Sequence, residues 1–270
     1  MEYKKGDYVT RNSYNNDTLF KIIDIKDDKY ILKGVNVRLV ADSSESDLKI
    51  YEKKDDENED GEKEDDSDGD YVLKVRDVAF KNNGEYFYIP GKILHFDGDK
   101  EYLDRCMKLY KQLNIPAYGV SLKETDFYKE IRKYLDMIKP DILVITGHDA
   151  HYRKRKNDIV GDMYMNSSNF IKTIIEARKF EKSHDKLIII SGACQSNYEE
   201  LLKAGSNFAS SPKRINIHSL DPALIAASIS LSEKSKSIDL FNIIQITLNK
   251  EKGFGGMRTN GTMYIGYPRS

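Results

Sequence analysis

Two apolar runs of strand length interrupt a chain that is otherwise rich in charge: Asp141-Ile142-Leu143-Val144-Ile145-Thr146-Gly147-His148-Asp149 and Lys186-Leu187-Ile188-Ile189-Ile190-Ser191-Gly192-Ala193-Cys194. Neither alternates between apolar and polar positions, which predicts strands covered on both faces of a parallel sheet. Strand and helix patterns alternate around them. A strand over 92–96 ends in Asp97-Gly98-Asp99, a helix follows over 101–113, and 117–120 reads as the next strand. An amphipathic helix over 125–138 is stopped by Lys139-Pro140. After the first apolar run comes a helix near 166–180. After the second come a short helix over 198–203 and a strand over 207–210, and both 222–231 and 238–248 read as helices or a helix–strand mixture. The pattern predicts an α/β domain over 71–270 built on a doubly wound, mostly parallel sheet.

The first 51 residues have a different rhythm. Short strand patterns over 7–11, 19–25, 30–35 and 37–41 follow closely on one another, with Asn15-Asn16-Asp17 marking a turn. That spacing predicts a small SH3-like β-barrel, a type of module that usually binds or docks. Residues 52–70 are almost wholly charged and offer nothing apolar to bury, so they are expected to form a disordered acidic linker.

Composition narrows the function. Charged residues make up 32% of the 270, yet the formal net charge is only -1, so no global field recommends nucleic acid or an anionic membrane as partner. No run of about 18 apolar residues is present to span a bilayer. The start of the chain lacks the apolar core of a signal peptide. Cys106 and Cys194 sit in unlike contexts and are expected to be reduced thiols. Together these predict a cytoplasmic protein. His148 and His151 are three apart, but there is no CxxC pair beside them, so no metal is expected. The glycine-rich stretch from Gly253 to Thr262 lacks the Lys-Ser/Thr ending of a phosphate loop and reads as a flexible loop or turn. No cofactor is called for.

The chemistry gathers at the two strand ends. In α/β sheets, reactive groups stand just beyond the carboxyl ends of the strands. His148 and Cys194 would therefore emerge on one edge if their strands are neighbours, as a thiol nucleophile and its base require. Small residues at Gly192 and Ala193 leave room for a carbonyl beside the sulfur. The backbone N–H groups of Cys194, expected at the mouth of the next helix, and of Gly147 would receive an oxyanion. Taken singly, Cys194 also reads as a buried core thiol and His148 as a satisfied strand-end residue. His151 reads as a neighbouring loop residue, and Cys106 as core. The basic run Arg153-Lys154-Arg155-Lys156 is either a solvated loop, a contact for acidic partners or a site of cleavage within the protein itself.

The strand running into Gly147-His148, followed by the strand running into Ala193-Cys194, resembles the caspase, legumain, clostripain and gingipain group of cysteine peptidases. Nearly the whole chain, apart from the acidic stretch at 52–70, is similar to a family of sporulation-specific peptidases of spore-forming Firmicutes. The stretches that carry this are Lys5-Gly6-Asp7-Tyr8-Val9-Thr10-Arg11, Ile31-Leu32-Lys33-Gly34-Val35-Asn36-Val37-Arg38-Leu39, Val144-Ile145-Thr146-Gly147-His148-Asp149 and Ser191-Gly192-Ala193-Cys194-Gln195-Ser196-Asn197-Tyr198. The resemblance implies a caspase-like sheet and an endopeptidase that processes spore coat and cortex-associated proteins, cutting after arginine, with His148 and Cys194 as the dyad. It also implies an S1 pocket near the end of the first sheet strand. Asp97 stands there, and a carboxylate in that place pairs bidentately with a guanidinium. Asp221 and Asp149 are further candidates, Asp149 equally readable as a turn cap. No third member of a triad is implied. The rival from another class is a non-catalytic spore-coat scaffold that docks through the barrel and the acidic tether. Self-cleavage is expected at Arg153, Arg155 or Arg11.

Overall fold

The computed structural model describes residues 3–26, 28–51, 66–79, 85–151 and 164–268, with the backbone alone at 66–69 and 78–79. They divide into two compact units, Met1–Ser67 and Asp68–Ser270.

The first unit is an antiparallel meander of β1 (Tyr8–Arg11), β2 (Phe20–Lys26), β3 (Lys29–Gly34), β4 (Val40–Ser43) and β5 (Leu48–Ile50). Its order, β4-β3-β2-β1-β5, returns the last strand to the side of the first, as a small SH3-like module requires. Alternate positions point inward, and Val9, Phe20, Ile22, Tyr30, Leu32 and Leu48 form one apolar core. The register shifts between Ile22 and Asp24, which bends β2 around that core. Asp47 ties the turn after β1 to the approach of β5. Its carboxylate accepts from the Ser13 hydroxyl and backbone N–H and from Arg11 Nε. Those bonds, the Ser13 hydroxyl first, hold it down at about 2.

The stretch expected to be a disordered linker, 52–70, lies outside the described residues as far as 65. Its last five positions open α1 (Asp66–Ala79). The apolar side of α1 supplies Val75 to the core of the second unit.

That unit is built on six strands, β7 (Ile93–Asp97), β8 (Ala117–Ser121), β9 (Ile142–Thr146), β10 (Ile188–Ser191), β11 (Phe208–Ser210) and β12 (Phe254–Gly256), in the order β12-β11-β10-β9-β7-β8. All pairs are parallel except the last, where β12 runs against β11. The glycine-rich stretch read as a loop therefore contributes an edge strand. A separate two-stranded ribbon joins β6 (Phe87–Ile89) to β13 (Tyr264–Gly266).

Helices cover both faces. Ile142, Val144, Ile188 and Ile190 pack toward α2 (Lys100–Gln112) and α6 (Asp221–Ser230), with Ile243 of α7 (Leu240–Gln245) beside them. Leu143, Ile145 and Ile189 point the other way, toward α3 (Phe127–Ile138), α4 (Ser167–Phe180) and α5 (Tyr198–Ala204). Two-sided cover explains why β9 and β10 are apolar at every position up to their last residues, Thr146 and Ser191. Helix α6 is buried on all sides, which explains its unbroken run of small and apolar residues. Between α7 and β12 lies the short α8 (Lys250–Gly253).

Arg178 holds the end of α4 to the sheet. Its guanidinium donates to the carbonyls of Gly205 and Leu187 and to Asn207 Oδ1, each at 2.8 Å. Methionine fills similar space but donates to none of them, so Arg178→Met is expected to cost about 3 kcal/mol, read from the urea midpoint.

Candidate active site

β9 and β10 pair in parallel with Ile145 opposite Ser191. One step further, the Gly192 N–H donates to the Ile145 carbonyl at 3.0 Å, and Thr146 Oγ1 donates to the Gly192 carbonyl at 2.9 Å. Gly147-His148 and Ala193-Cys194 thus leave the sheet beside each other, at its carboxyl edge. β7 ends on the same rung, with Asp97 opposite Thr146.

Gly192 makes the turn after β10 possible. Its φ of 101° lies in the left-handed region, and a Cβ there would come within 2.3 Å of Ser210 Oγ. Gly192→Ala is expected to destabilise the protein by on the order of 2 kcal/mol, measured by urea unfolding. The Ala193 carbonyl then accepts from Ser210 Oγ and Ser211 Oγ, and its N–H donates to Ser196 Oγ. Cys194 follows, fully buried. Its sulfur receives the Ile217 N–H at 3.3 Å and packs in the cluster that contains Ile217 and Leu220. The mouth of the next helix was expected at Cys194. A turn intervenes instead, with Gln195 at φ 56°, so that α5 begins only at Tyr198.

His148 sits among carboxylates. Its backbone N–H donates to Glu124 Oε1 at 2.9 Å, and its carbonyl accepts from Asn166 Nδ2 at 2.8 Å. Ring Nδ1 lies 3.7 Å from Glu124 Oε1, and Nε2 lies 3.5 Å from Asp99 Oδ2. The Tyr102 ring packs alongside, 5.8 Å between centroids. Burial pushes the Glu124 carboxyl up, but the bonds to the His148 ring and backbone outweigh it and hold the group below its ordinary value. The segments that carry Cys194 and His148 thus leave neighbouring strands at one edge, with the thiol bonded to Ile217 and the imidazole facing Asp99 and Glu124.

Asp149 ties those segments together. It is buried, and its carboxylate accepts from the N–H groups of Ala150 and Asn166 and from the hydroxyls of Ser167 and Ser196. Burial raises its carboxyl above the ordinary value, and the four donors offset only part of that. Ser167 Oγ in turn receives the Asn197 N–H.

The other two carboxylates expected to read a substrate side chain also face inward. Asp97, fully buried, accepts from the Asp99 N–H at 2.9 Å and lies 3.7 Å from His95 Nε2. Asp221, at the start of α6, accepts from the N–H groups of His218 and Leu248. His151 donates its N–H to Gln195 Oε1, and its ring packs on Tyr164. Arg153, Lys154, Arg155 and Lys156 lie outside the described residues. Among the described residues, no group of His, Cys, Asp or Glu side chains is arranged to hold a metal ion, and no helix is long and apolar enough to cross a membrane.

Glu124, Asp99, Ser167 and Ser196 escaped the reading of the sequence. Glu124 and Asp99 look there like ordinary acids at helix starts, and Asp99 does cap α2, accepting from the N–H groups of Glu101 and Tyr102.

Residues 4–268 match the family model described as YabG peptidase U57. The chain is 42% identical over 287 aligned positions to the sporulation-specific protease YabG of Bacillus subtilis (strain 168), covering 99% of both chains.

Proposed function

Because this chain belongs to the YabG peptidase family, we propose that it hydrolyses peptide bonds as a cysteine endopeptidase with Cys194 as nucleophile and His148 as its proton carrier. The observation that carries this reading is the parallel pairing of β9 and β10, whose ends deliver both residues to one edge. In the first step the Cys194 thiolate adds to the scissile carbonyl. The C–N bond then breaks as the His148 imidazolium gives its proton to the leaving amine, and a thioester remains. Water, deprotonated by the now neutral imidazole, adds to the thioester, and the thiolate departs with the acid product released. The backbone N–H groups of Cys194 and Gly147 receive the oxyanion in both halves. The strand order, with a sixth strand reversed at one edge, suits a caspase-like arrangement.

Spore coat and cortex-associated proteins, cut after arginine in the mother cell, are the proposed substrates. Asp97 is the first candidate to meet the arginine, because it ends the strand next to β9. A guanidinium reaching any of the three would have to displace donors, the Asp99 N–H at Asp97 among them, and Asp149 and Asp221 accept from more of them. With fluorogenic peptides, Arg before the scissile bond is expected to be cleaved well above Lys, and Asp not at all. Asp97→Ala is expected to lower kcat/KM for the arginyl peptide by about 100-fold, the cost of losing a buried charge partner. Faster cleavage of the aspartyl peptide would overturn the specificity. Self-cleavage is proposed at Arg153 and Arg155. Arg11 lies within β1, paired with Asp47 at 3.0 Å, and its strand would have to leave the sheet first.

A further inference from the structure

We infer that Glu124 is the positioning residue for His148: its carboxylate fixes the histidine backbone and, with Asp99, brackets the ring. The inference rests on the dyad proposed above and adds the acid partner that the dyad lacks.

The geometry argues it in three ways. One oxygen, Glu124 Oε1, serves both the backbone N–H of His148 at 2.9 Å and the Nδ1 side of its ring at 3.7 Å. The same oxygen occupies the space of two absent Cβ atoms. A Cβ on Gly98 would fall 2.1 Å from Glu124 Oε1, and one on Gly147 would fall 2.6 Å from it. Two glycines, each just past the end of β7 or β9, therefore open the slot in which this carboxylate lies. Third, Asp99 Oδ2 faces Nε2 at 3.5 Å while its other oxygen caps α2, so the ring stands between two acids from different elements. Tyr102 packs on the ring from α2. The neighbouring acids turn elsewhere, Asp97 to the Asp99 N–H and Asp149 to Ser167 and Ser196.

Glu124 and Asp99 place negative charge opposite the ring when it carries the proton that goes to the leaving amine. Because the backbone bond to Glu124 does not depend on the ring torsions, the anion stays close when the ring turns toward substrate.

The test is kinetic. Glu124→Gln keeps an oxygen for the backbone N–H and removes the charge. It is expected to lower kcat on an arginyl fluorogenic peptide by about 10-fold with KM nearly unchanged, and Glu124→Asp is expected to restore part of the loss. In the Cys194→Ala protein, which needs no catalysis, Glu124→Gln is expected to shift the NMR resonances of the His148 ring. If Glu124→Gln does not fold, Gly98→Ala, which evicts the carboxylate, must give the same fall in kcat. An unchanged kcat in the folded variant overturns the inference and leaves the dyad standing. A Cys194→Ala protein that still cleaves peptide overturns the dyad.

Discussion

Cys194→Ala is expected to abolish peptide-bond cleavage while the fold persists. Loss of a nucleophile that forms a covalent intermediate lowers kcat by about 10^4-fold or more, because no neighbouring group takes over the addition step. The structural cost is small by comparison. The sulfur packs in a core cluster with Ile217 and Leu220 and receives one backbone N–H, so its removal should cost on the order of 1 kcal/mol. Cys106→Ala is the matched control, since that thiol is equally buried in the same cluster and donates to the Ser219 carbonyl. The two variants should melt alike and differ only in activity, measured on an arginyl fluorogenic peptide. A non-catalytic scaffold predicts that they behave alike in every assay, and that result would sink the assignment of Cys194.

Asp149→Ala is expected to destabilise the protein about as much as Arg178→Met, and to cost activity as well. It strips the acceptor from two hydroxyls and two backbone N–H groups in a buried setting. Bonds to a charged acceptor are worth about 1.5–3 kcal/mol each, and partial rearrangement leaves an expected net loss of about 3 kcal/mol, or roughly 8 °C in Tm. Asp149→Asn should cost less, because its carbonyl oxygen still accepts. Activity should fall further than stability alone explains, by about 100-fold at a temperature where the variant is folded. Asp149 joins the segment after His148 to the segment after Cys194, and a displacement near 1 Å is enough for a loss of that size. The pH dependence carries a sign. Burial raises this carboxyl above its ordinary 3.8, so the folded state holds the proton longer than the unfolded chain. The contribution of Asp149 to native stability should therefore decline as pH rises from 3.8 through the raised value, then level, against the opposite trend from Asp47 and Glu124. Asp149→Ala should lack that decline in urea titrations taken across the range.

The parts of the fold that the sequence displays are those in which one interaction dominates. Ile142 to Ile145 and Leu187 to Ile190 are covered on both faces, so burial leaves no polar position to confuse the pattern. The helices over 100–112 and 127–138 carry a clear apolar stripe and polar remainder, and are equally plain. Elsewhere the signal is mixed. In α1 the first turn, Asp66-Ser67-Asp68-Gly69, continues the acidic tract and hides the helix that Val75 anchors. Strands β5, β6 and β13 have three residues each, too few to alternate recognisably, and β12 is formed by Phe254-Gly255-Gly256, a composition that reads as a turn.

At the site, backbone position was legible and side-chain direction was not. The strand ends point to His148 and Cys194 because reactive residues after apolar runs are few. Nothing local distinguishes Glu124, which reaches His148 across a gap of 24 positions, from the acids that begin many helices. Ser167 and Ser196 likewise become informative only when a common acceptor, Asp149, joins them.

Strands β12 and β13 bear on how this unit is completed. β12 completes the sheet beside β11, and β13 reaches back to β6 near the start of the same unit. A chain emerging from the ribosome cannot complete this sheet until residues 254–256 have left the exit tunnel. A product truncated before residue 254 should therefore leave β11 as a bare sheet edge, open to pairing with other chains and prone to aggregate.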